Sequence, residues 1–267
     1  MATTIALAGK GGVGKTTIAG LIIKYLVKND LTPILAIDAD PSSNLNFVLG
    51  VELESTVGDI REDMLDQVKE SVVSGGAAMG ALPGGITKRD YLDYHIRSAL
   101  VEGDQFDLIA MGRSEGPGCY CAVNHNLRMV IDAISKNYRF IVIDNEAGME
   151  HLSRRTTRDV DHLIIVTDPT LRGLMAAERI AQFRNELDIK IKNAYLVINR
   201  IKGDLNESLY HYIEKINLPV IGKFKDEELV SELDADGIPL INLDENTSLY
   251  QELNHVMEQL GIQKQAA

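Results

Sequence analysis

A glycine-rich stretch near the start of the chain carries the strongest chemical signal in the sequence. It reads Gly-Lys-Gly-Gly-Val-Gly-Lys-Thr-Thr over residues 9–17, after a strand-like apolar run and before a helix-like one. Glycines let the backbone turn its N–H groups toward one point, and the first turn of a helix adds the positive end of its dipole. Together these features predict a loop that binds phosphate groups.

The side chains of this phosphate-binding loop predict a nucleotide and a magnesium ion as ligands. We expect Lys15 to reach the β- and γ-phosphates of ATP, the Thr16 hydroxyl to bind Mg²⁺, and Thr17 to support the α-phosphate. The predicted nucleotide-binding residues of the loop are Gly11, Gly12, Val13, Gly14, Lys15, Thr16 and Thr17. The sequence therefore predicts a Mg²⁺-dependent P-loop enzyme that hydrolyses ATP to ADP.

Lys10, directly after the first glycine of the loop, is not required by the general P-loop pattern. With this lysine the loop resembles the deviant Walker A motif of the family that contains the nitrogenase iron protein, the MinD septum-placing ATPases and the ParA partition ATPases. The resemblance implies a homodimer in which Lys10 reaches across to the partner's nucleotide. There it would neutralise developing charge much as an arginine finger does.

Two acidic segments resemble the switch regions of that family. Asp38 and Asp40, after the strand-like residues 33–37, resemble switch I: Asp38 is expected to hold the water shell of Mg²⁺, and Asp40 to orient the attacking water. Asp144 and Gly148 resemble switch II, with Asp144 contacting Mg²⁺ through water and Gly148 following the γ-phosphate with its N–H. The predicted catalytic residues are therefore Lys10, Lys15, Asp38 and Asp40.

A further pair of polar residues, Asn199 and Arg200, ends the strand-like residues 194–198. Members of the family use an asparagine amide at this place to read adenine. The resemblance therefore implies that Asn199 and Arg200 contact the base. An asparagine at the end of a strand is also a common turn residue, which is the plainer alternative.

The only two cysteines, Cys119 and Cys121, stand in Glu-Gly-Pro-Gly-Cys-Tyr-Cys. In an extended segment, residues two apart project to the same side, so both sulfurs can face one metal ion. A two-fold dimer would bring a second pair to the axis and complete a four-thiolate site, which suits Zn²⁺ when tetrahedral and Ni²⁺ when planar. His125 is near enough for a third ligand. Two buried structural cysteines or a strained disulfide are the alternatives.

With this cysteine motif, essentially the whole chain resembles the CooC-type nickel-insertion ATPases, which mature carbon monoxide dehydrogenase, and their relatives that serve acetyl-CoA synthase. The resemblance implies a metallochaperone that delivers Ni²⁺ to a nickel-iron-sulfur client enzyme. ATP binding would close the dimer and hydrolysis would reopen it, changing the geometry of Cys119 and Cys121. Zn²⁺ would bind the same thiolates.

Two other functions stay open on the sequence. An electron-transfer ATPase could hold an iron–sulfur cluster between subunits, because four thiolates from two chains also suit that cluster. The adjacent cysteines argue against it, since the nitrogenase iron protein takes its ligands from distant positions. A positioning ATPase that partitions DNA or acts at a membrane would use the same nucleotide chemistry and would need no cysteines.

The elements that must position these residues alternate between strand-like and helix-like runs. Predicted strands cover residues 4–8, 33–37, 107–111, 140–143, 162–166, 194–198 and 219–221. Predicted helices cover residues 15–28, 57–71, 91–101, 122–135, 171–186, 227–233 and 248–260. This alternation predicts an α/β fold, a P-loop NTPase with a mostly parallel sheet flanked by helices on both faces. Glycine-rich residues 74–88 interrupt the rhythm as a loop.

Composition limits the partners and the location. The 267 residues, 45% hydrophobic and 25% charged, suit a single domain over residues 1–267. The net charge of -12 repels phosphate backbones and anionic lipids, so we expect neither nucleic acid nor membrane as a partner. No apolar run approaches the roughly 20 residues that span a bilayer, and no signal peptide is recognisable, which predicts a cytoplasmic protein.

Overall fold

Eight strands form one sheet in the described part of the chain. The computed structural model describes residues 2–73, 82, 85–113, 129–147, 159–184 and 190–264. The strands are β1 (Thr3–Gly9), β2 (Ile34–Asp38), β3 (Val101–Glu102), β4 (Phe106–Ala110), β5 (Phe140–Asp144), β6 (Asp159–Thr167), β7 (Lys190–Ile201) and β8 (Val220–Lys225). Their order across the sheet is β3-β4-β2-β5-β1-β6-β7-β8. The neighbouring strands are parallel except β3 and β4, which are antiparallel.

Helices connect the strands. They are α1 (Lys15–Lys28), α2 (Leu45–Leu49), α3 (Val57–Val73), α4 (Lys88–Ser98), α5 (Leu171–Phe183), α6 (Glu207–Ile216), α7 (Glu228–Ala235) and α8 (Ser248–Gln259), with a 3-10 turn at Leu240–Asn242. Residues 129–135 are helical as well. Within the described ranges, none of these helices combines the length and the apolar character that crossing a bilayer requires.

The side chains of β1 divide between two apolar layers, one on each face of the sheet. Ile5 and Leu7 join the layer that contains α1, α2 and α8, whereas Ala6 and Ala8 join the layer that contains α3, α4 and α5. Successive residues of a strand point to opposite faces, so a strand buried on both sides is apolar throughout. The predicted α/β fold, with helices on both faces of a mostly parallel sheet, is confirmed.

Several elements differ from the predictions at their ends. Helix α4 begins at Lys88 rather than residue 91, because Thr87 caps it: the Asp90 N–H donates to Thr87 Oγ1, and that hydroxyl donates to Asp90 Oδ2. Strand β3, helix α2, helix α6 and the 3-10 turn have no counterpart among the predicted elements. The first two are only two and five residues long, which is too short for a recognisable period.

The carboxyl ends of the parallel strands meet at one edge of the sheet. Leu7 and Asp38 are both register partners of Asp144, which places the ends of β1, β2 and β5 side by side. Gly9 is the register partner of Val166 near the end of β6. Ligand sites of open α/β sheets form outside this edge, so the fold brings the predicted site segments together there.

Candidate nucleotide-binding site

The phosphate-binding loop connects β1 to α1 and packs tightly on its neighbours. A Cβ added at Gly9 would lie 2.2 Å from the Val166 carbonyl oxygen, so only glycine allows this approach of β1 to β6. Gly14 is the N-cap residue of α1 with φ +90°, in the left-handed region that glycine adopts at least cost. The first N–H groups of a helix lack intrahelical acceptors, and glycine offers no side chain to them. They are therefore available to a phosphate.

Lys15 lies at the start of α1 and is buried, with 7% of its surface exposed. Its Nζ donates to the carbonyl oxygen of Lys10 at 3.2 Å, which folds the side chain back over the loop. Burial lowers the pKa of Lys15, and the carboxylates of Asp144, Asp40 and Glu146 oppose that change. The structure thus holds a partly desolvated lysine over the loop, and its contact with the β- and γ-phosphates stays a prediction.

Lys10 differs from Lys15 in being exposed. Its backbone carbonyl accepts the Lys15 bond, while its side chain lies at the surface of the loop. A lysine that reaches a partner chain needs this kind of position. Its role in a partner's site stays a prediction.

Thr16 and Asp144 form the part of the site that suits Mg²⁺. The Thr16 hydroxyl donates to Asp144 Oδ2 at 2.6 Å, and Asp144 is 1% exposed. Among the described residues, no donor reaches its second buried oxygen, Oδ1. Burial raises the pKa of Asp144 to about 7; the Thr16 bond opposes the rise and nearby Asp38 adds to it. A buried carboxylate oxygen beside a hydroxyl fits a hard cation that binds oxygen ligands.

Asp38 has a different set of partners. Its Oδ1 accepts the Asp40 N–H at 3.0 Å and its Oδ2 accepts the Leu45 N–H at 2.9 Å. Burial raises the pKa of Asp38 to about 6, and these two backbone bonds oppose the rise. Asp38 therefore shapes the loop after β2 and the start of α2. It lies opposite Asp144 in the β2–β5 register, so the two predicted magnesium-associated acids are neighbours.

Asp40 completes the same loop. Its Oδ1 accepts the Ser42 N–H at 2.8 Å, and its side chain is only partly buried. Its charge opposes the lowering of the Lys15 pKa, as a carboxylate near that lysine does. This position is compatible with the predicted role in orienting water, which stays a prediction.

Asn199 and Arg200 contact the phosphate-binding loop itself. Asn199 Nδ2 donates to the Val13 carbonyl oxygen at 2.8 Å, and Arg200 Nη1 donates to the Gly12 carbonyl oxygen at 2.7 Å. The amide of Asn199 also occupies the space beside Gly14, where an added Cβ would lie 2.3 Å from Nδ2. Their contact with adenine stays a prediction, and their contacts in this structure are with loop carbonyls.

Two residues of the site were missed in the sequence. Asn145 is buried directly after Asp144, and its Nδ2 donates to the Leu7 carbonyl oxygen at 2.7 Å. Ala147 approaches the loop, its Cβ lying 3.9 Å from the position of a Cβ added at Gly11. The signal in the sequence that could have identified them is their position directly after Asp144, at the end of a predicted strand. Of the predicted set, Gly148, Cys119, Cys121 and the optional ligand His125 lie outside the described residues.

Clustered metal ligands are absent from the described residues: no group of three or more His, Cys, Asp or Glu side chains there surrounds one point. This result does not conflict with Mg²⁺ at Thr16 and Asp144. Magnesium bound with a nucleotide usually takes one or two carboxylates and otherwise phosphate oxygens and water.

The sequence is similar to known nucleotide-binding proteins. It matches the family described as CobQ/CobB/MinD/ParA nucleotide binding domain over residues 4–240. An uncharacterized ATP-binding protein of Methanocaldococcus jannaschii is 47% identical over 96% of this chain and 97% of its own. The carbon monoxide dehydrogenase accessory protein CooC of Rhodospirillum rubrum is 31% identical over 70% of each chain.

The fold also has solved counterparts. The septum site-determining protein MinD of Pyrococcus horikoshii, whose structure is a complex with Mg-ADP, superimposes with a TM-score of 0.66 over 97% of this chain and 96% of its own. The sequence identity is 19%, so this likeness concerns the fold alone.

Proposed function

The chain belongs to the CobQ/CobB/MinD/ParA family of P-loop ATPases, and we propose that it is an ATP-dependent metallochaperone that works as a homodimer. Its cargo would be Ni²⁺, bound by Cys119 and Cys121 of both chains. The observation that carries the proposal is this Cys-Tyr-Cys motif in a chain 31% identical to a carbon monoxide dehydrogenase accessory protein. The client would be a nickel enzyme such as carbon monoxide dehydrogenase or acetyl-CoA synthase.

The described site supports the ATP-hydrolysing half of this function. The loop N–H groups and Lys15 would bind the phosphates, and Asp40 would orient the attacking water. Thr16 and Asp144 would hold Mg²⁺, which neutralises charge on the phosphate oxygens when it is bound. Asp38 would keep the loop after β2 in place through the Asp40 and Leu45 N–H groups.

Coupling between ATP hydrolysis and metal binding would pass through the segment after β5. That segment begins at Asp144, which accepts the Thr16 hydroxyl, and Ala147 lies against the phosphate-binding loop near Gly11. A change of the loop on nucleotide binding would therefore press on the chain beyond residue 147. The exposed side chain of Lys10 supports a second chain at the same edge of the sheet.

The test is metal stoichiometry together with molar mass. Anaerobic equilibrium dialysis against Ni²⁺ and light scattering would compare the wild type with the Cys119→Ser, Cys121→Ser double variant. We expect one Ni²⁺ per dimer for the wild type and none for the double variant, with ATP hydrolysis retained in both. Nickel binding that does not depend on the cysteines would contradict metal delivery through this motif.

A positioning ATPase is the second candidate, favoured by the likeness of the fold to MinD over nearly the whole chain. Its net charge of -12 argues against an anionic surface as the partner. Co-sedimentation with duplex DNA or with anionic vesicles at physiological salt separates the candidates. Binding to either, without cysteine-dependent nickel binding, would favour positioning. An iron–sulfur protein would instead be brown, with a visible absorption band lost in the double variant.

A further inference from the structure

We propose that Arg200 is a positioning residue that aims the phosphate-binding loop at its ligand, and that Asp226 orients its guanidinium. The inference rests on the nucleotide site and is independent of metal delivery. It assigns Arg200 to the backbone of the loop, rather than to the adenine base that the sequence predicted as its contact.

The contacts of Arg200 connect three parts of the chain. Its Nη1 donates to the Gly12 carbonyl oxygen at 2.7 Å, and its Nε lies 4.0 Å from Asp226 Oδ1. The Asp226 N–H donates to the Ile201 carbonyl oxygen at 3.0 Å, which ties the residue after β8 to the end of β7. The guanidinium thus lies between a loop carbonyl and a carboxylate held by the backbone.

An irregularity at the end of β7 makes this arrangement possible. In a regular strand, Asn199 and Arg200 would point to opposite faces of the sheet. Here the β7–β8 register shifts between Ile198 and Ile201, and Arg200 has φ +61°, in the left-handed region that non-glycine residues rarely adopt. Both side chains consequently reach the same loop. Such irregularities often re-aim side chains beside functional sites.

The two carbonyl contacts determine where the loop's N–H groups point. A trans peptide is planar, and its C=O and N–H point in opposite directions. A donor on the Gly12 carbonyl therefore turns the Val13 N–H away from Arg200, and a donor on the Val13 carbonyl turns the Gly14 N–H away from Asn199. Without Arg200, the Gly12 peptide could rotate and turn its carbonyl oxygen toward the phosphates, which would repel them.

Arg200 can be changed without damage to the core. More than half of its side chain is exposed, at 56%, whereas Asn199 is buried beside Gly14. Lys202 offers a matched control, because it is exposed, basic and 3.1 Å from Asp226 Oδ2. The hydrogen bond to the Gly12 carbonyl comes from Arg200.

The experiment is calorimetric titration of the dissociation constant for Mg-ATP and for Mg-tripolyphosphate, with steady-state ATP hydrolysis and thermal unfolding alongside. For Arg200→Ala we expect about tenfold weaker binding of both ligands, since one charge-assisted hydrogen bond is lost. KM should rise by the same factor with kcat within about threefold, because the loop holds substrate and transition state alike. Arg200→Lys should recover part of the affinity, since an ammonium group also donates to a carbonyl.

Three results would overturn the inference. Unchanged affinity of Arg200→Ala for both ligands would contradict the positioning role. Weaker binding of Mg-ATP alone would mean that Arg200 contacts the base. An equal loss in Lys202→Ala would reduce the effect to net charge. If Arg200→Ala folds poorly, Arg200→Gly suits the positive φ, and affinity equal to the wild type there would also overturn it. A wild type that binds neither ligand would instead refute the nucleotide site.

Discussion

The ends of β2 and β5 carry aspartates that are direct register partners, yet the two ends are built differently. Asp38 and Asp144 are each 1% exposed. Both oxygens of Asp38 accept backbone N–H groups of the loop that follows it. Asp144 accepts one hydroxyl, from Thr16, and its other oxygen has no donor among the described residues.

From the sequence, both aspartates are predicted to associate with Mg²⁺ through water. Their different partners in the structure separate a contact with the backbone from a proposed contact with the cation. Both oxygens of Asp38 accept backbone N–H groups, so Asp38 shapes residues 38–45, and its predicted role at the water shell of Mg²⁺ stays a prediction. Asp144 has one oxygen without a donor among the described residues, as the proposed Mg²⁺ site needs, and its neighbour Asn145 anchors the end of β5 by donating to the Leu7 carbonyl. At the end of β2 the aspartate itself binds the following backbone, whereas at the end of β5 the neighbouring asparagine makes the backbone contact.

The largest expected effect is the loss of ATP hydrolysis on removing the Asp144 charge. Asp144→Asn should lower the rate by about a hundredfold or more, because a charged oxygen at the cation is lost. Its folding stability should be unchanged or higher, since the amide oxygen still accepts the Thr16 hydroxyl. Mg²⁺-dependent hydrolysis and urea unfolding measure both. Asp159→Asn, at the far exposed end of β6, is the control for charge. A destabilised Asp144→Asn with full activity would reverse the comparison.

The same substitution at Asp38 should act first on stability. In Asp38→Asn, an NH₂ group replaces one acceptor, and either the Asp40 or the Leu45 N–H loses its partner. Leaving a buried donor unsatisfied costs about 1–3 kcal/mol. Urea unfolding without nucleotide measures this loss. Equal stability of Asp38→Asn and Asp144→Asn would show that the two strand ends do not differ as described.

The pH dependence of stability provides a third test. Burial raises the pKa of Asp38 to about 6 and of Asp144 to about 7, from 3.8, so the folded chain retains protons that the unfolded chain releases. The contribution of these two aspartates to the free energy of unfolding is therefore greatest below pH 4 and declines as the pH rises toward 7. In that range each aspartate that is protonated only in the folded chain lowers it by about 1.4 kcal/mol per pH unit.

Thermal unfolding of the nucleotide-free, magnesium-free protein from pH 4 to 8 measures this decline. Asp144→Asn should make the decline shallower up to about pH 6, where Asp38 still contributes, and remove it between about pH 6 and pH 7, because Asp144 has the higher pKa of the two. A profile identical to that of the wild type would mean that Asp144 does not titrate in this range.

The smallest expected effect concerns Asn145. Asn145→Ala removes the side-chain donor to the Leu7 carbonyl, while the backbone N–H of residue 145 still points to the same oxygen at 3.4 Å. The cost should be about 1 kcal/mol of stability, with a smaller loss of hydrolysis than in Asp144→Asn. A full loss of hydrolysis in Asn145→Ala would mean that this amide acts on the nucleotide.

Local signals in the sequence were enough to predict much of the fold. Helix α1 spans the predicted residues, because a glycine-rich loop precedes it and apolar residues run through it to Lys28. Helix α2 was missed because its five residues are too few for a recognisable period; in the structure, the Asp38 carboxylate accepts the N–H of its first residue, Leu45. Strand β3 exists through its pairing with β4 rather than through a pattern of its own.

Some features of the site were also predictable from local signals, and others were not. The sequence placed Lys15, Thr16 and Asp144 together, because a motif and two strand ends must meet at one edge of a parallel sheet. It did not distinguish Asp38 from Asp144, since the partners of each oxygen come from other segments. It also placed Asn199 and Arg200 at the nucleotide, but the contacts to loop carbonyls depend on a register shift between β7 and β8.

Residue types and their spacing along the chain were sufficient to identify the groups that can do chemistry: a P-loop, its lysines and threonines, two acidic strand ends and a cysteine pair. These are properties of residue type and short spacing, which one segment carries alone. The tertiary structure decided which atom each of the described groups faces. Strand register, a positive φ at Arg200 and burial of both aspartates arise only when distant segments pack, so no local pattern contains them.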